Sequence, residues 1–268
     1  MSSSKILVID PQLAGIAGDM FVAALLDLGA DRDTVVSAME ASVNYVPNCH
    51  NVSVRPQSIT RSHISGLFLK IRIEESFTTR PGRVLLESVE TMARDLKLST
   101  PASAFAHRAI HILVEAEARV HKHPPEDVHL HAAGSVDTVL DIIGAATALD
   151  NLGIANPTTT SYFTLPIAVG GGTFPSGHGI LAAPGPAVMN ILTTSKLAFR
   201  GGPQIYEMAT PTGVSLLAAL NPVSTPVFPE LYPLAVGYGA GTGELPEIPN
   251  LLRFVLGVPK ITTGNKEA

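Results

Sequence analysis

The chain has a single cysteine, Cys49, no tryptophan, and few charged residues. A lone thiol cannot close an intramolecular disulfide, so the fold is expected to rest on its core in a reducing, cytoplasmic setting. Charged residues make up 15% of the 268, and the net charge of -5 comes without any run of Lys or Arg. That balance excludes the concentrated basic surface on which nucleic-acid binding depends. No apolar stretch reaches the roughly 18 residues that read as a membrane span. The opening MSSSKILVID enters an apolar run without the charged flank, long apolar core and cleavage site of a secretory leader. A globular protein that meets neither nucleic acid nor membrane is the expectation.

Hydrophobic residues form 46% of the chain, enough for a sizeable core. The 23 glycines and 21 prolines concentrate after residue 155, and that shift marks the expected internal boundary. Residues 1–155 are expected to form an α/β and helical part, 156–260 a Gly/Pro-rich α+β part, and 261–268 a flexible tail.

Lys5 to Asp10 reads as a buried strand, followed by a helix from about Ala17 to Leu28 that stops at Gly29. A second helix runs through Met39, and strands follow near 51–59 and 66–74. Residues 81–121 read as two helices broken near Pro101. The segment from His129 opens extended and turns helical at Ser135, a natural N-cap, before ending at Gly153. Strands near 160–170, 231–237 and 251–256 and helices at 186–192 and 213–220 complete the chain. This order predicts an α+β fold: a mixed, partly antiparallel sheet with helices packed on it and a helical centre.

Five constellations can carry chemistry. Asp10 followed by GIAGDM ends a strand in a carboxylate and opens a helix with Gly15, Gly18 and Asp19. Such a turn can bind an anion on backbone N–H groups while the carboxylates hold a cation, or it can be a plain structural turn. Histidines cluster between residues 107 and 131. His107 and His111 share a helical stripe with Glu115, and Glu117 pairs by the same spacing with His121. His129 and His131 alternate along an extended segment, and Asp137 and Asp141 follow one helical turn apart. Imidazole with carboxylate suits nickel, zinc or cobalt. GGGTFPSGHG places Gly171, Gly172 and His178 where backbone can approach a ligand, or simply in a turn. Glu207 precedes TPTG, whose Thr210, Thr212 and Gly213 cap a helix and can also seat a phosphate. VGYGAGTGELPEIPN ends in Asn250 and reads as a loop that closes over a ligand or merely connects.

Taken in order, GIAGDM, AEARVH, HLHAAGSVDTVLDIIG, GGGTFPSGHGILAAPGPA, EMATPTG and GYGAG with PN resemble the LarC nickel-insertion family, from about residue 5 to 257. The resemblance implies a lyase-type nickel chelatase. It would insert Ni2+ into a pyridinium bisthiocarboxylate mononucleotide, yielding the nickel-pincer cofactor of lactate racemase-type enzymes. CTP would be consumed with Mg2+ or Mn2+. It further implies metal handling by Asp10, His129, His131, Asp137 and Asp141, and cofactor contacts by Gly15, Gly18, Gly171, Gly172, Thr210, Thr212, Gly213 and Asn250. Asp19 and His178 would be catalytic, His178 as a further metal ligand or a proton-transfer group. Mixed His/Asp ligation suits an ion that must be surrendered to sulfur, where thiolates would compete.

Three departures qualify the match. HLHAAG has Ala132 where the family usually carries an acid. IEESFTTRPGR lacks the histidine-rich loop of many members. The chain ends near the point where longer members begin a nucleotide-handling portion. A binding subunit that needs a separate C-terminal LarC-like partner is therefore the alternative, and a metal-dependent phosphohydrolase a further one. Homo-oligomerisation is compatible with all three.

Overall fold

The structure is a computed structural model and describes residues 4–130, 132–243, 245 and 248–260, with backbone alone at Ala132. In chain order the elements are β1 (Lys5–Asp10), α1 (Gly18–Asp27), α2 (Arg32–Glu40), a 3-10 turn at Ala41–Asn44, β2 (Cys49–Arg61) and β3 (Ile64–Glu75). Next come β4 (Arg80–Pro81), α3 (Gly82–Asp95), α4 (Thr100–His121), β5 (His129–Leu130), a 3-10 turn at Ala132–Gly134 and α5 (Val136–Asn151). The second half contributes β6 (Thr160–Thr164), β7 (Ile167–Ala168), β8 (Thr173–Ser176), β9 (Gly179–Ala182), α6 (Pro186–Ser195) and β10 (Phe199–Arg200). α7 (Pro211–Ala219), β11 (Val223–Ser224), β12 (Leu231–Ala240) and β13 (Leu251–Pro259) close it.

Seven strands form one mixed sheet in the order β11-β6-β1-β13-β12-β3-β2. β1 runs parallel to β6 and antiparallel to β13, and β12 joins β13 antiparallel and β3 parallel. Strands from either side of residue 155 therefore alternate within a single sheet. The continuous apolar run of β1 is explained by this central position, which buries Leu7, Val8 and Ile9 completely. The fold is α+β.

Helices pack on one face. α1 lies along β12, β3 and β13, and α5 lies behind it, touching α1, α2, α3 and α4. Phe21 of α1 meets Phe254 of β13 edge-to-face at 4.9 Å, a geometry that adds about 0.5–1.5 kcal/mol to the burial itself. α5 is buried on nearly every side from Val136 to Leu149, which explains why its sequence is apolar all round. A helix of that kind cannot carry a charge without consequence, and α5 carries Asp137 and Asp141.

The sequence reading placed the helices and long strands well. It did not anticipate the β8–β9 hairpin, where Thr173, Phe174, Pro175 and Ser176 pair with Ala182, Leu181, Ile180 and Gly179. The expected 160–170 strand is two short strands, because Pro166 interrupts the ladder. Ser135 occupies the N-cap of α5, but its hydroxyl donates to Glu75 instead of accepting from the helix. The tail 261–268 lies outside the described residues. Among those described, no helix is long and apolar enough to cross a membrane.

Gly237 and Gly239 let β12 press directly against the α1 backbone; a methyl group at Gly239 would collide with the Met20 carbonyl. Gly239→Ala is therefore expected to cost about 1–3 kcal/mol, the range for overpacked interiors. Urea unfolding checks this, and an unchanged midpoint would refute the close approach.

Candidate functional site

The segment after β1 is laced to the segment before α7. Ile16 N–H donates to the Met208 carbonyl at 2.9 Å, and Thr210 N–H donates to the Ile16 carbonyl at 3.0 Å. Gly15 makes this possible: its φ of +70° is left-handed, and a side chain there would strike the Met208 carbonyl. Gly213 meets the Ile16–Ala17 backbone in the same way. The start of α1 and the start of α7 are thereby fixed side by side.

α5 is brought to the same place by a buried clamp. Arg80 Nη1 and Glu75 Oε2 are 2.6 Å apart, and Arg80 also donates to the Pro47 and Gly134 carbonyls. Glu75 accepts from the Ser135 hydroxyl and from Val136 N–H. Every charge in the clamp is thus hydrogen-bonded, the condition under which a buried pair is tolerated. The clamp holds the first turn of α5 against the end of β3.

These elements enclose a cavity of about 940 Å³. Asp19 of α1, Asp137 and Asp141 of α5, Glu117 of α4, and Glu207 before α7 all line it. The β8–β9 hairpin contributes Phe174 and His178, and β3 contributes Phe68 and Lys70. Lys70 is the only lysine or arginine among the described lining residues. The His178 ring lies 5.0 Å from that of His121, whose Nε2 is 3.7 Å from Glu117 Oε2.

The carboxyls are electrostatically unusual. Asp141 is 5% exposed, and its Oδ1 is buried without a hydrogen-bond partner. Burial lifts its pKa well above the ordinary carboxylate range, and the neighbouring charges of Asp19 and Asp137 push it further. Asp19 is raised to about 6, mainly by burial and secondarily by Asp137, although the Met20 N–H pulls it down. Asp137 opens onto the cavity, yet the walls still desolvate it enough to raise it. Burial also raises Glu117, and lifts Glu207 to about 7. Gly18 is what allows this crowding, since a methyl group there would be driven into the Asp141 carboxyl.

Of the residues singled out by sequence, Gly18, Asp19, Asp137, Asp141, His178, Thr210 and Thr212 reach this cavity. The others lie elsewhere. Asp10 accepts from Arg253 and from Gln12, and the Arg253 guanidinium sits over Phe228. Gly15 and Gly213 serve backbone packing. Gly171 and Gly172 lie against the Gln204–Ile205 backbone. His129 is exposed on β5, paired with β4, and His131 lies outside the described residues. Asn250 donates to the Gly243 carbonyl, tying the β12–β13 loop to itself. Thr210 is occupied as the cap of α7, accepting from Gly213 N–H at 3.2 Å. His107 and His111 stack at 4.1 Å on the outside of α4, beside Glu90. Among the described residues no three His, Cys, Asp or Glu side chains are grouped closely enough to enclose a metal ion.

Sequence reasoning singled out Glu117 and Glu207 without giving either a site role, and it did not select Lys70. Glu117 was detectable through its spacing to His121 and Glu207 through its place before TPTG, but Lys70 sits in an ordinary strand pattern.

Fold and site define an α+β protein built around a carboxylate-lined cleft. Over residues 7–268 the chain matches a family described as nickel insertion protein, and it belongs to that family. It is 36% identical over 254 residues to a protein of Methanothermobacter thermautotrophicus and 38% identical over 254 residues to one of Methanosarcina barkeri, both named for nickel insertion. Each alignment covers 94% of this chain and 59% of the relative. A Geobacter protein of the same name is 34% identical over 95% of this chain and 62% of its own length. The chain thus spans about three-fifths of the length of these relatives. No solved structure matches it.

A carboxyl whose pKa is higher folded than unfolded is held protonated by the fold. Its contribution is therefore favourable below about pH 4 and lost as pH rises through the folded value, here about 6 for Asp19 and about 7 for Glu207. Glu207→Gln is expected to stabilise the protein at pH 8 on the order of 1–3 kcal/mol and to make no difference near pH 4. Urea unfolding at both pH values tests this; an equal effect at both would refute the shift.

Proposed function

We propose that this chain is the nickel-receiving and substrate-binding part of a chelatase that inserts Ni2+ into a pyridinium bisthiocarboxylate mononucleotide. The product would be the nickel-pincer cofactor of lactate racemase-type enzymes. The observation that carries this reading is the buried, unpartnered Oδ1 of Asp141, flanked by Asp19 and Asp137 at the wall of a cavity large enough for a nucleotide-sized ligand. An uncompensated carboxylate oxygen in an apolar wall is costly unless a proton or a cation arrives. Nickel is the cation suggested by the family, and here it is a substrate that enters and leaves.

The donor chemistry agrees. Carboxylate and imidazole oxygen and nitrogen atoms bind a borderline divalent ion without competing for it against thiocarboxylate sulfur. Asp19, Asp137 and Asp141 would draw the ion to this part of the cavity without by themselves enclosing it, and His178, on the hairpin that also lines the cavity, would add a donor. His178 and Asp19 remain our candidates for proton transfer. His129, exposed on β5, falls to a supporting role in this reading, and Asp10, paired with Arg253, to a structural one.

The length of the relatives favours a division of labour. CTP, with Mg2+ or Mn2+, would be handled by the share of those proteins that this chain does not cover, as part of the same polypeptide or as a separate partner. In that case the chain alone binds nickel and precursor without turnover.

The test combines calorimetry with an optical assay. Wild-type protein is expected to bind Ni2+, and Asp141→Asn to weaken it about tenfold or more, roughly 1.4 kcal/mol, while Glu90→Gln, outside the cavity, leaves it unchanged. Adding precursor and Mg2+-CTP should give nickel–sulfur absorbance only when the remaining portion of a longer relative is supplied. Absorbance from the chain alone would make it a complete chelatase. Nickel binding indifferent to Asp141→Asn, or phosphate-ester hydrolysis without nickel, would remove the proposal.

A further inference from the structure

The helices cover one face of the main sheet, and the other face carries an apolar row of its own. Neighbouring residues of a strand point to opposite faces, while residues in register across a ladder share one. Leu7 and Phe254 belong to the main core, where Phe254 meets Phe21 of α1. The adjacent positions, Val8 and Val255, therefore face away from α1. Register carries the row across five strands: Val223 pairs with Phe163, Phe163 with Val8, Val8 with Val255, and Val255 with Val236. Gly237, next to Val236, is the position that presses on α1. Ile6, Val8 and Val255, with Phe163 and Leu231 against them, form a hydrophobic cluster separate from the main core. The connection from β11 to β12 lies on this face as well, since the Phe228 ring centre is 5.0 Å from the Arg253 guanidinium, two positions along β13 from Val255.

This face is only partly covered. Val223 and Val236, at the two ends of the row, Val227 in the connection and Leu234 at the bulge in β12 are each at least 42% exposed, and Phe228 is half-buried. We propose that the face is the contact surface for a second copy of this chain, packed sheet against sheet about a twofold axis. The helices of both copies would then lie outermost, in a four-layer arrangement.

Charge and area both favour a second copy. In a twofold contact each patch meets itself, so a net charge on it would be repelled by its own image. The five strands hold only three charged residues, Lys5, Asp10 and Arg253. Asp10 and Arg253 are paired, and Lys5 donates to the Leu152 carbonyl behind α5. At the rim, Glu230 and Lys260 pair at 3.5 Å. Two chains of net charge -5 repel overall, and a face whose charges are already paired is where they can meet. Five partly exposed apolar side chains put the bare patch on the order of 500 Å², the upper end of what a monomer leaves open. A twofold axis counts that patch twice, reaching the total of about 1,000 Å² at which specific interfaces begin. Valine suits such a contact, because its side chain is stiff and loses little freedom on burial. None of these residues lines the cavity, and nothing about the contact depends on what the cavity binds.

Sedimentation velocity of the full chain over a concentration series tests this. Wild type is expected to pass from monomer to dimer with a Kd on the order of 10 µM, in keeping with the small area. Val236→Lys and, separately, Val227→Lys are each expected to weaken the dimer at least tenfold, about 1.4 kcal/mol, because a twofold contact would bury two ammonium groups. Val227 lies in a connection and not in a strand, so its variant still reports if Val236→Lys disturbs the sheet. Ile180→Lys removes a comparably exposed apolar residue from the β8–β9 hairpin and should leave the dimer unchanged. Far-UV circular dichroism of all three variants should match wild type. A chain still monomeric at roughly 0.5 mM, a dimer that survives both substitutions, or one that Ile180→Lys weakens as much, would overturn the proposal. So would a monomeric chain whose face instead takes up the share of a longer relative that this chain does not cover, seen as a one-to-one complex broken by Val236→Lys.

Discussion

A carboxylate carried into an apolar interior must be protonated, paired or ligated, because the solvation it loses is worth several kcal/mol. α5 imposes that constraint here. The helix is enclosed by α1, α2, α3 and α4, and Asp141 sits one turn inside its exposed end. Much of the surrounding structure follows from accommodating this group. Gly18 lets α1 approach closely enough that Asp19 shares the same pocket. The Glu75–Arg80 clamp secures the first turn of α5, so that Asp137 and Asp141 face the cavity and not the core.

The same enclosure explains why negative groups can gather without breaking the fold. Four helices start at the wall of the same cavity, and each contributes partial positive charge there. Raised pKa values follow where burial outweighs that help, as at Asp141 and Glu207. Asp10 is the instructive contrast. It also ends a strand before a glycine-containing turn, but it is paired with Arg253 from the central strand β13.

The elements were largely legible in the chain. An unbroken apolar run announced β1, a glycine after an apolar stripe marked the end of α1, and Ser135 before an apolar helix marked α5. The hairpin of residues 173–182 escaped because Pro175 and three glycines between 170 and 172 read as turn signals, and its pairing is a matter of two short segments meeting. For the site, Asp19, Asp137, Asp141 and His178 stood out because polar residues interrupt otherwise apolar or glycine-rich runs. Glu207 was visible beside TPTG but carried no assigned role, and Lys70 did not stand out, since a lysine on a strand is ordinary in isolation.

What the sequence by itself determined is local: strand and helix positions, the apolar character of α5, the glycines at close approaches, and the membership of a nickel insertion family through an ordered set of motifs. Periodicity and turn chemistry act over a few residues, so a single chain suffices to read them. What only the tertiary structure decided is which local features share a pocket. Asp10 and Asp19 are nine positions apart, yet one faces Arg253 and the other Asp141. Desolvation and helix-end electrostatics depend on neighbours brought from distant parts of the chain, and those neighbours exist only once the sheet has ordered β1, β13 and β12 side by side.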